Sequence, residues 1–204
     1  MANLLKKILG QRPKYVYKDR FKTREDAALS AQNIRDYGSK SYDSRSVKNL
    51  KFDEKYTQGR SMIVPLILST LDEGRYTILD IGGGVNAVFS HLNEVQKALH
   101  QCLVLERTEV IQSLNKKIPE KYNKNIHYIS SIDNVEAIDI AYFGSSVQYI
   151  EDYETLLNRI STLSPQFIIF SESIFTNADE DYVVMQINMF PDVFPNRFVS
   201  EKKL

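Results

Sequence analysis

The 204-residue sequence has one cysteine, no tryptophan and no long apolar run. The single cysteine, Cys102, excludes an internal disulfide and a cysteine-rich zinc site, and it fits a reducing compartment. No stretch approaches the ~20 apolar residues that span a bilayer, and residues 1–10 lack the apolar core and cleavage site of a signal peptide. We therefore expect a cytoplasmic protein.

The net charge is zero, because 26 basic residues balance 26 acidic ones, but the two signs are unevenly spread. Residues 1–24 hold eight basic residues and one acidic residue, a net charge of +7. The remainder, with 18 basic and 25 acidic residues, carries −7. A basic arm on an acidic body suits contact with an anionic membrane surface or a phosphate-bearing substrate, or is simply solvated. Nucleic acid is not expected as a partner, because the acidic body would repel it.

The sequence changes character near residue 57. Residues 1–56 are polar, basic and rich in tyrosine, with helical stretches such as 24–35, so we expect a basic N-terminal helical cap. Residues 57–204 read as a globular core that begins with a helix over 57–74.

Five short apolar runs alternate with helical patterns after residue 76. Helices are predicted over 85–99, 108–122 and 152–163, and strands at Thr77–Ile81, Cys102–Leu105, Ile126–Ile129, Asp139–Phe143 and Gln166–Phe170. This alternation predicts an α/β, Rossmann-like fold, a doubly wound parallel sheet with right-handed crossovers and helices on both faces. In such sheets ligands bind beyond the carboxyl ends of the strands, where the strand order reverses.

Three consecutive glycines, Gly82 to Gly84, follow the first core strand. Glycines at this place allow a tight turn and the close approach of a ligand to the backbone. Glu106 closes the second strand, 22 residues after Gly84, where a carboxylate can accept hydrogen bonds from both ribose hydroxyls of a nucleotide. The strand, the glycine turn and the acidic residue occur in the order that is typical of a nucleotide-binding unit. A glycine-rich turn that binds no ligand has the same local pattern.

Two cofactor classes compete for this turn, and Asp80 separates them. Gly82, Gly84 and Ala87 satisfy the dinucleotide pattern G-x-G-x-x-G/A, which favours NAD. A dinucleotide would bring a doubly negative pyrophosphate beside Asp80, and like charges repel. S-adenosylmethionine carries an ammonium and a sulfonium and has no phosphate, so a carboxylate attracts it. The charges therefore favour S-adenosylmethionine.

The segment Asp80-Ile81-Gly82-Gly83-Gly84 resembles the first motif of class I S-adenosylmethionine-dependent methyltransferases. The resemblance implies that Asp80 holds the methionine ammonium through a water or backbone amides, and that Glu106 binds the ribose. It also implies that two residues flank the adenine and two lie beneath the methionyl end. The implied cofactor-binding set is Asp80, Gly82, Gly83, Gly84, Glu106, Ser131 and Ile132 (adenine), and Ser145 and Ser146 (methionyl end).

More narrowly, nearly the whole chain is similar to a bacterial group of methyltransferases often encoded among surface-polysaccharide genes. The shared elements are Tyr42-Asp43, Ser145-Ser146-Val147-Gln148-Tyr149 and Gln186. This resemblance implies a sugar or small hydroxylated metabolite as acceptor, with Tyr42 and Tyr149 as candidate substrate contacts. The chain departs from the family at Asn86, where many members have a third glycine, and over 171–175.

In methyl transfer the protein mainly binds and orients the cofactor and the acceptor, but an oxygen nucleophile benefits from a general base. Glu172, which closes the fifth strand, is the candidate base ahead of Tyr149 and Asp152. The histidines lack metal-ligand spacing, so no metal is expected. The favoured function is an O-methyltransferase. The alternatives are a methyltransferase-like binding or assembly module without turnover, and an NAD-dependent oxidoreductase.

The segment after the fifth strand departs from the class I pattern, which continues with a helix and a closing pair of strands. Ser200 reads as a helix N-cap close to Leu204. We therefore expect the closing helix and strand pair to be lacking. A truncation, a homo-oligomer or another partner would then account for the exposed edge of the sheet.

Overall fold

The computed structural model describes residues 16–32, 62–84, 87–115, 118, 120–122, 124–187 and 193–204. Contacts group these residues into two compact units. One unit comprises 16–32 with 174–187 and 193–204, and the other comprises the described residues of 62–173.

The larger unit is built on a five-stranded parallel sheet with the order β4-β3-β2-β5-β6. Its strands are β2 (Thr77–Ile81), β3 (Gln101–Leu105), β4 (Ile126–Ile129), β5 (Ile140–Gly144) and β6 (Phe167–Ser171). All five predicted strands are confirmed, each within one residue at either end, and every pairing is parallel. The chain runs outward from β2 to β4 and then returns to β5 on the other side, so the strand order reverses between β2 and β5.

The helices of this unit are shorter than their sequence patterns predict. They are α2 (Ile63–Leu68), α3 (Glu94–Leu99), α4 (Thr108–Leu114) and α5 (Tyr153–Thr162), with 3-10 turns at Val88–His91, Glu120–Tyr122 and Val147–Tyr149. The predicted helix over 85–99 is interrupted because Leu92 is extended and Asn93 starts α3 with a capping box to Gln96. The α5 prediction is confirmed, with the Asp152 carboxylate accepting the Thr155 N–H at 3.1 Å.

One face of the sheet forms the main apolar core. Alternate residues of the strands, such as Ile78, Cys102 and Ile126, pack with side chains of the helices, such as Val64 and Leu114, and all five are buried. Fully burying side chains of this size contributes about 1.5–3 kcal/mol each relative to exposure. This core fixes the strands and, with them, the positions of the loops at their carboxyl ends.

The smaller unit is a four-stranded sheet in the order β1-β8-β9-β7, with helix α1 (Arg24–Gln32). Its strands are β1 (Val16–Phe21), β7 (Phe175–Thr176), β8 (Tyr182–Ile187) and β9 (Val193–Ser200). β8 pairs antiparallel with both β1 and β9, whereas β7 runs parallel to β9. The N-cap predicted at Ser200 is confirmed by its hydrogen bond from the Lys202 N–H, which opens a 3-10 turn.

The second sheet bears on two expectations. Tyr182–Ile187 and Val193–Ser200 are rich in β-branched and aromatic residues and pair in continuous register, but they do so in the smaller sheet, and among the described residues the five-stranded sheet has no closing strand pair. The expected N-terminal cap over 1–56 is not purely helical, because β1 is a strand that pairs along β8. This pairing joins residues 16–32 to the described residues of 174–204, so 57–204 do not form one core. The expected boundary between residues 56 and 57 lies outside the described residues.

Candidate functional site

β2 ends in a turn whose neighbours leave room only for glycine. Gly82 has φ +73 and Gly84 has φ +54, both in the left-handed region. A Cβ atom at Gly83 would lie 2.3 Å from Oδ2 of Asp80, and one at Gly82 would lie 2.9 Å from Cβ of Ser146. The turn therefore wraps over the Asp80 carboxylate and packs directly against the loop that follows β5.

Asp80 is a buried carboxylate beneath this turn, with 1% of its surface exposed. Its Oδ2 atom accepts a hydrogen bond of 2.6 Å from the N–H of Val88, which fixes the start of the 3-10 turn beyond the glycines. Burial, and secondly the negative charge of Asp80, raise the pKa of the Cys102 thiol well above its ordinary value. Cys102 is therefore a core residue and not a nucleophile.

Glu106 approaches the same turn from the end of β3. Its Oε2 atom accepts the N–H of Arg107 at 3.0 Å, and its Oε1 atom lies 3.2 Å from where a Cβ of Gly84 would be. The hydroxyl of Tyr128 donates to the carbonyl of Gly84 at 3.1 Å. Burial raises the pKa of Tyr128, as do the nearby Cys102, Asp80 and Glu106. Two carboxylates thus flank the turn, and a protonated tyrosine holds its far end.

The loop after β5 forms the opposite wall of the site. Ser145 has φ +60, and its N–H donates to the carbonyl of Ser171 at 2.7 Å. Its hydroxyl accepts a bond of 3.1 Å from Nε2 of Gln148. Ser146 is 6% exposed, and its Oγ is buried without a hydrogen bond to any residue that the structure describes. Tyr149 ends this loop with 37% of its surface exposed.

The residues after β4 form a short turn at the same edge. Ser131 is exposed, and its hydroxyl donates to Oδ2 of Asp133 at 2.6 Å and accepts the Asp133 N–H at 3.0 Å. Ile132, by contrast, is buried, with 5% of its surface exposed. This turn therefore presents a polar serine–aspartate pair above an apolar residue.

Glu172 follows β6 at this edge and is exposed, with φ +51. Because Gly144 and Ser171 are register partners, Ser145 and Glu172 follow neighbouring strands directly. Both have left-handed backbone that is uncommon outside glycine, and such residues often occur at functional sites. Asp152, considered as a base, instead caps α5. Tyr42 lies outside the described residues.

The structure brings together those predicted cofactor-binding residues that follow the central strands β2, β3 and β5. Asp80, the glycine turn, Glu106 and the Ser145–Ser146 loop converge where the strand order reverses, the place where open α/β sheets bind ligands. Ser131 with Ile132, and Glu172, follow the outer strands β4 and β6 at the same edge.

Sequence reasoning assigned no site role to three residues that the structure places in or beside this site: Tyr128, Asp133 and Gln148. The i, i+2 spacing of Ser131 and Asp133 is a recognisable turn signal. The bond from Tyr128 to Gly84 depends on strand register, so the sequence alone could not reveal it.

A groove of about 860 Å³ runs along β3 and β4 in the same unit. It includes Ser131, Ile129 and Val135, but the glycine turn and the β5 loop do not line it. Within the described ranges, no group of three or more histidine, cysteine, aspartate or glutamate side chains is placed to hold a metal ion. None of the helices that the structure describes has the length and apolarity needed to cross a membrane.

Comparison with protein-family models and with curated proteins gives no match. Among solved structures, the N-terminal domain of EvdMO1, determined in the presence of S-adenosylhomocysteine and D-fucose, is similar with a TM-score of 0.51 and 12% identity. The match covers 90% of this chain and 84% of that one.

Two enzymes complexed with S-adenosylhomocysteine are similar at lower scores. The 1,6-didemethyltoxoflavin-N1-methyltransferase of Burkholderia thailandensis, which also holds 1,6-didemethyltoxoflavin, has a TM-score of 0.48 and 18% identity over 91% of this chain and 77% of that one. The glycopeptide N-methyltransferase MtfA has a TM-score of 0.48 and 14% identity over 80% of this chain and 83% of that one.

The parallel five-stranded sheet, its reversal between β2 and β5 and the likeness to the EvdMO1 domain together define the class of fold. It is an α/β, Rossmann-like fold of the class I methyltransferase type, as the sequence predicts.

Proposed function

We propose that the protein is an S-adenosylmethionine-dependent methyltransferase whose cofactor site is the glycine turn of the larger unit. One observation carries the proposal: a carboxylate, Asp80, is buried directly beneath Gly83 at the point where the strand order reverses. In this low-dielectric position its charge acts strongly on whatever approaches the turn. A cation is favoured there and a diphosphate is disfavoured.

The residues around the turn fit this cofactor in three respects. The close packing of Gly82 and Gly83 keeps the turn free of side chains, so a ligand can approach its backbone. The carboxylate of Glu106, held by the Arg107 N–H, suits a pair of ribose hydroxyls. The buried Oγ of Ser146 has hydrogen-bonding capacity unused by the residues that the structure describes, next to the turn.

We assign the binding roles accordingly. Asp80 attracts the methionine ammonium, which would donate to a water or to backbone carbonyl oxygens of the turn, because the carboxylate itself is covered by Gly83. Ser145 and Ser146 support the methionyl end. Residues 131 and 132 flank the adenine at the end of β4. When bound, the cofactor supplies an electrophilic methyl group, and the protein binds, orients and excludes water.

For the acceptor we propose a sugar or another small hydroxylated metabolite, as the sequence resemblance implies, with a role in surface-polysaccharide biosynthesis. Glu172 is the proposed base that accepts the hydroxyl proton, because it is exposed at the same edge as the β5 loop. Tyr149, also exposed, and Tyr42 are the proposed acceptor contacts. We further propose that the protein acts in the cytoplasm. Contact of residues 1–24 with anionic membranes and a homo-oligomeric state remain predictions.

The proposal is tested by calorimetric titration of the protein with S-adenosylhomocysteine and with NAD. We expect binding of the first and not of the second, because the diphosphate would meet the negative charge of Asp80. Binding of NAD alone would favour the oxidoreductase. Binding of S-adenosylhomocysteine without any methyl transfer from labelled cofactor into cell extract would favour the module without turnover.

Charge-removing variants sharpen this test. Asp80→Asn and Glu106→Gln should each weaken S-adenosylhomocysteine binding by roughly 1–3 kcal/mol, about 5- to 150-fold, because each loses a charge-assisted interaction. Glu73→Gln is the matched control, because Glu73 is exposed before β2 at the opposite edge of the sheet. Unchanged affinity in both site variants would contradict the assigned roles.

Glu172→Gln tests the proposed base separately from the cofactor site. We expect S-adenosylhomocysteine to bind as it does to the unaltered protein, while kcat for an oxygen acceptor falls about 100-fold or more, because proton acceptance by a positioned base contributes at least that much. Glu151→Gln is the control, because Glu151 is an exposed acid beyond the β5 loop. An unchanged kcat would remove Glu172 from the mechanism.

A further inference from the structure

Gln148 is an uncharged polar side chain buried within the loop that follows β5, residues 145–149. It lies in the 3-10 turn Val147–Tyr149, with 1% of its surface exposed. Its Nε2 atom donates to the hydroxyl of Ser145 at 3.1 Å. Losing this bond would leave a buried amide donor unsatisfied, which is unfavourable, so the Nε2 atom favours a placement against the Ser145 hydroxyl.

The hydroxyl that Gln148 binds belongs to a residue in a rarely used conformation. Ser145 has φ +60, and a non-glycine residue keeps left-handed backbone only where its surroundings enforce it. Two hydrogen bonds do so here. The N–H of Ser145 donates to Ser171 on β6 at 2.7 Å, and the hydroxyl accepts from Gln148.

The conformation of Ser145 determines where the next residue lies. Ser146 packs so closely on the glycine turn that a Cβ at Gly82 would be 2.9 Å from its own Cβ. A shift of the loop would therefore move Ser146 relative to the turn, and a tightly packed contact of this kind cannot adapt without loss. Gln148, Ser145, Ser146 and Gly82 thus form one continuous chain of contacts.

We propose that Gln148 is a positioning residue for the cofactor. It holds the Ser145 hydroxyl and thereby sets the wall that Ser146 builds against Gly82, where the methionyl end would be bound. This inference rests on the proposed function.

The test compares S-adenosylhomocysteine affinity with stability in Gln148→Leu, Ser145→Ala and the double variant. We expect each single variant to bind S-adenosylhomocysteine about tenfold more weakly than the unaltered protein does. The affinity of the double variant should be no lower than that of the more impaired single variant, because both substitutions remove the same hydrogen bond. Hydrogen exchange of residues 144–150 in the ligand-free protein should be faster in Gln148→Leu. Ser145→Ala keeps the inference testable if Gln148→Leu does not fold.

Gln96→Leu is the matched control for loss of a buried amide. Gln96 is 8% exposed and its Nε2 atom donates to the carbonyl of Pro65 at 3.1 Å, away from the turn. This variant should lower the unfolding temperature and leave S-adenosylhomocysteine affinity unchanged, which separates positioning from general stability.

Three results would count against the inference. Unchanged affinity for S-adenosylhomocysteine in a folded Gln148→Leu variant would overturn the inference and leave the proposed function intact. The same holds if the fold-losses in affinity of the two single variants multiply in the double variant. Failure of the unaltered protein to bind S-adenosylhomocysteine would overturn the proposed function and this inference with it.

Discussion

At the scale of single residues, the site depends on how closely the glycine turn packs on charged neighbours. Asp80 could be singled out from the sequence as the residue proposed to select the cofactor, because its charge and its spacing from the glycines are both visible there. Its burial under Gly83 and its bond to Val88 could not, because both depend on the path of the chain after the turn.

Gly83→Ala should damage both folding and the site. A Cβ there would lie 2.3 Å from Oδ2 of Asp80, 2.6 Å from its Cγ and 2.8 Å from Oδ1, so the turn or the carboxylate must move. We expect a loss of about 1–3 kcal/mol in the free energy of unfolding, the usual penalty of overpacking, together with weaker S-adenosylhomocysteine binding. Urea unfolding and calorimetry measure the two effects.

Gly74→Ala is the control for that substitution. A Cβ at Gly74 would meet the Tyr76 ring at 3.6 Å, an ordinary contact, and no positive φ is involved. Its free energy of unfolding should change by less than about 1 kcal/mol, with affinity unchanged. Equal effects of the two substitutions would show that the contact with Asp80 does not restrict the turn.

At the scale of secondary-structure elements, strands were easier to predict than helices. Each core strand is a short apolar run between polar segments, and burial in a parallel sheet requires that composition. Helix lengths also depend on capping residues, which can end or begin a helix even where the spacing of apolar residues continues. The Asn93–Gln96 capping box is visible as a sequence pattern, but the apolar spacing over 85–99 continues through it and predicts a single helix. The chain instead forms a 3-10 turn followed by α3.

The junction between α3 and β3 contains a histidine that should make stability depend on pH. His100 is buried at the end of α3, and its Nδ1 atom accepts the N–H of Tyr76 at 3.3 Å. Burial lowers the pKa of His100 below its ordinary value of 6.5, although the charge of Asp139 opposes the shift. The unfolded chain therefore binds this proton at a higher pH than the folded protein does.

The sign of the effect follows from that difference. The stability due to neutral His100 is fully present above the unfolded pKa and is lost as pH falls from there toward the folded pKa. The free energy of unfolding should decrease as the pH falls through the ordinary histidine pKa of 6.5, and His100→Gln should flatten that decrease. Urea unfolding at several pH values measures both slopes. Identical slopes in the two proteins would exclude His100 as the cause.

At the scale of the whole molecule, the sequence predicted the larger sheet but not the smaller one. Each of the five core strands is a short apolar run between polar or helical segments, so local patterns suffice to locate them. The smaller sheet instead pairs β1 with β8, whose register joins Val16 to Ile187, a contact that no local pattern indicates. For the same reason β8 and β9 were not predicted from the sequence.

This pairing makes a prediction about cooperativity between distant parts of the chain. β8 lies between β1 and β9, so its amides and carbonyls have neighbours on both sides. Deleting residues 1–22 would remove β1 and turn β8 into an edge strand. Its backbone hydrogen bonds would then open more readily, because edge strands lose half of their pairing.

Hydrogen exchange followed by mass spectrometry measures this effect peptide by peptide. We expect exchange over Tyr182–Ile187 to accelerate about tenfold or more in the deletion variant, since opening then breaks one ladder instead of two. The peptide over Thr77–Ile81 is an internal control, because β2 keeps both of its partners, β3 and β5. Unchanged protection of β8 would show that β1 contributes nothing to the sheet. Equal acceleration in β2 would instead show that the two units unfold as one, and the division of the chain between two separately stabilised sheets would then have to be abandoned.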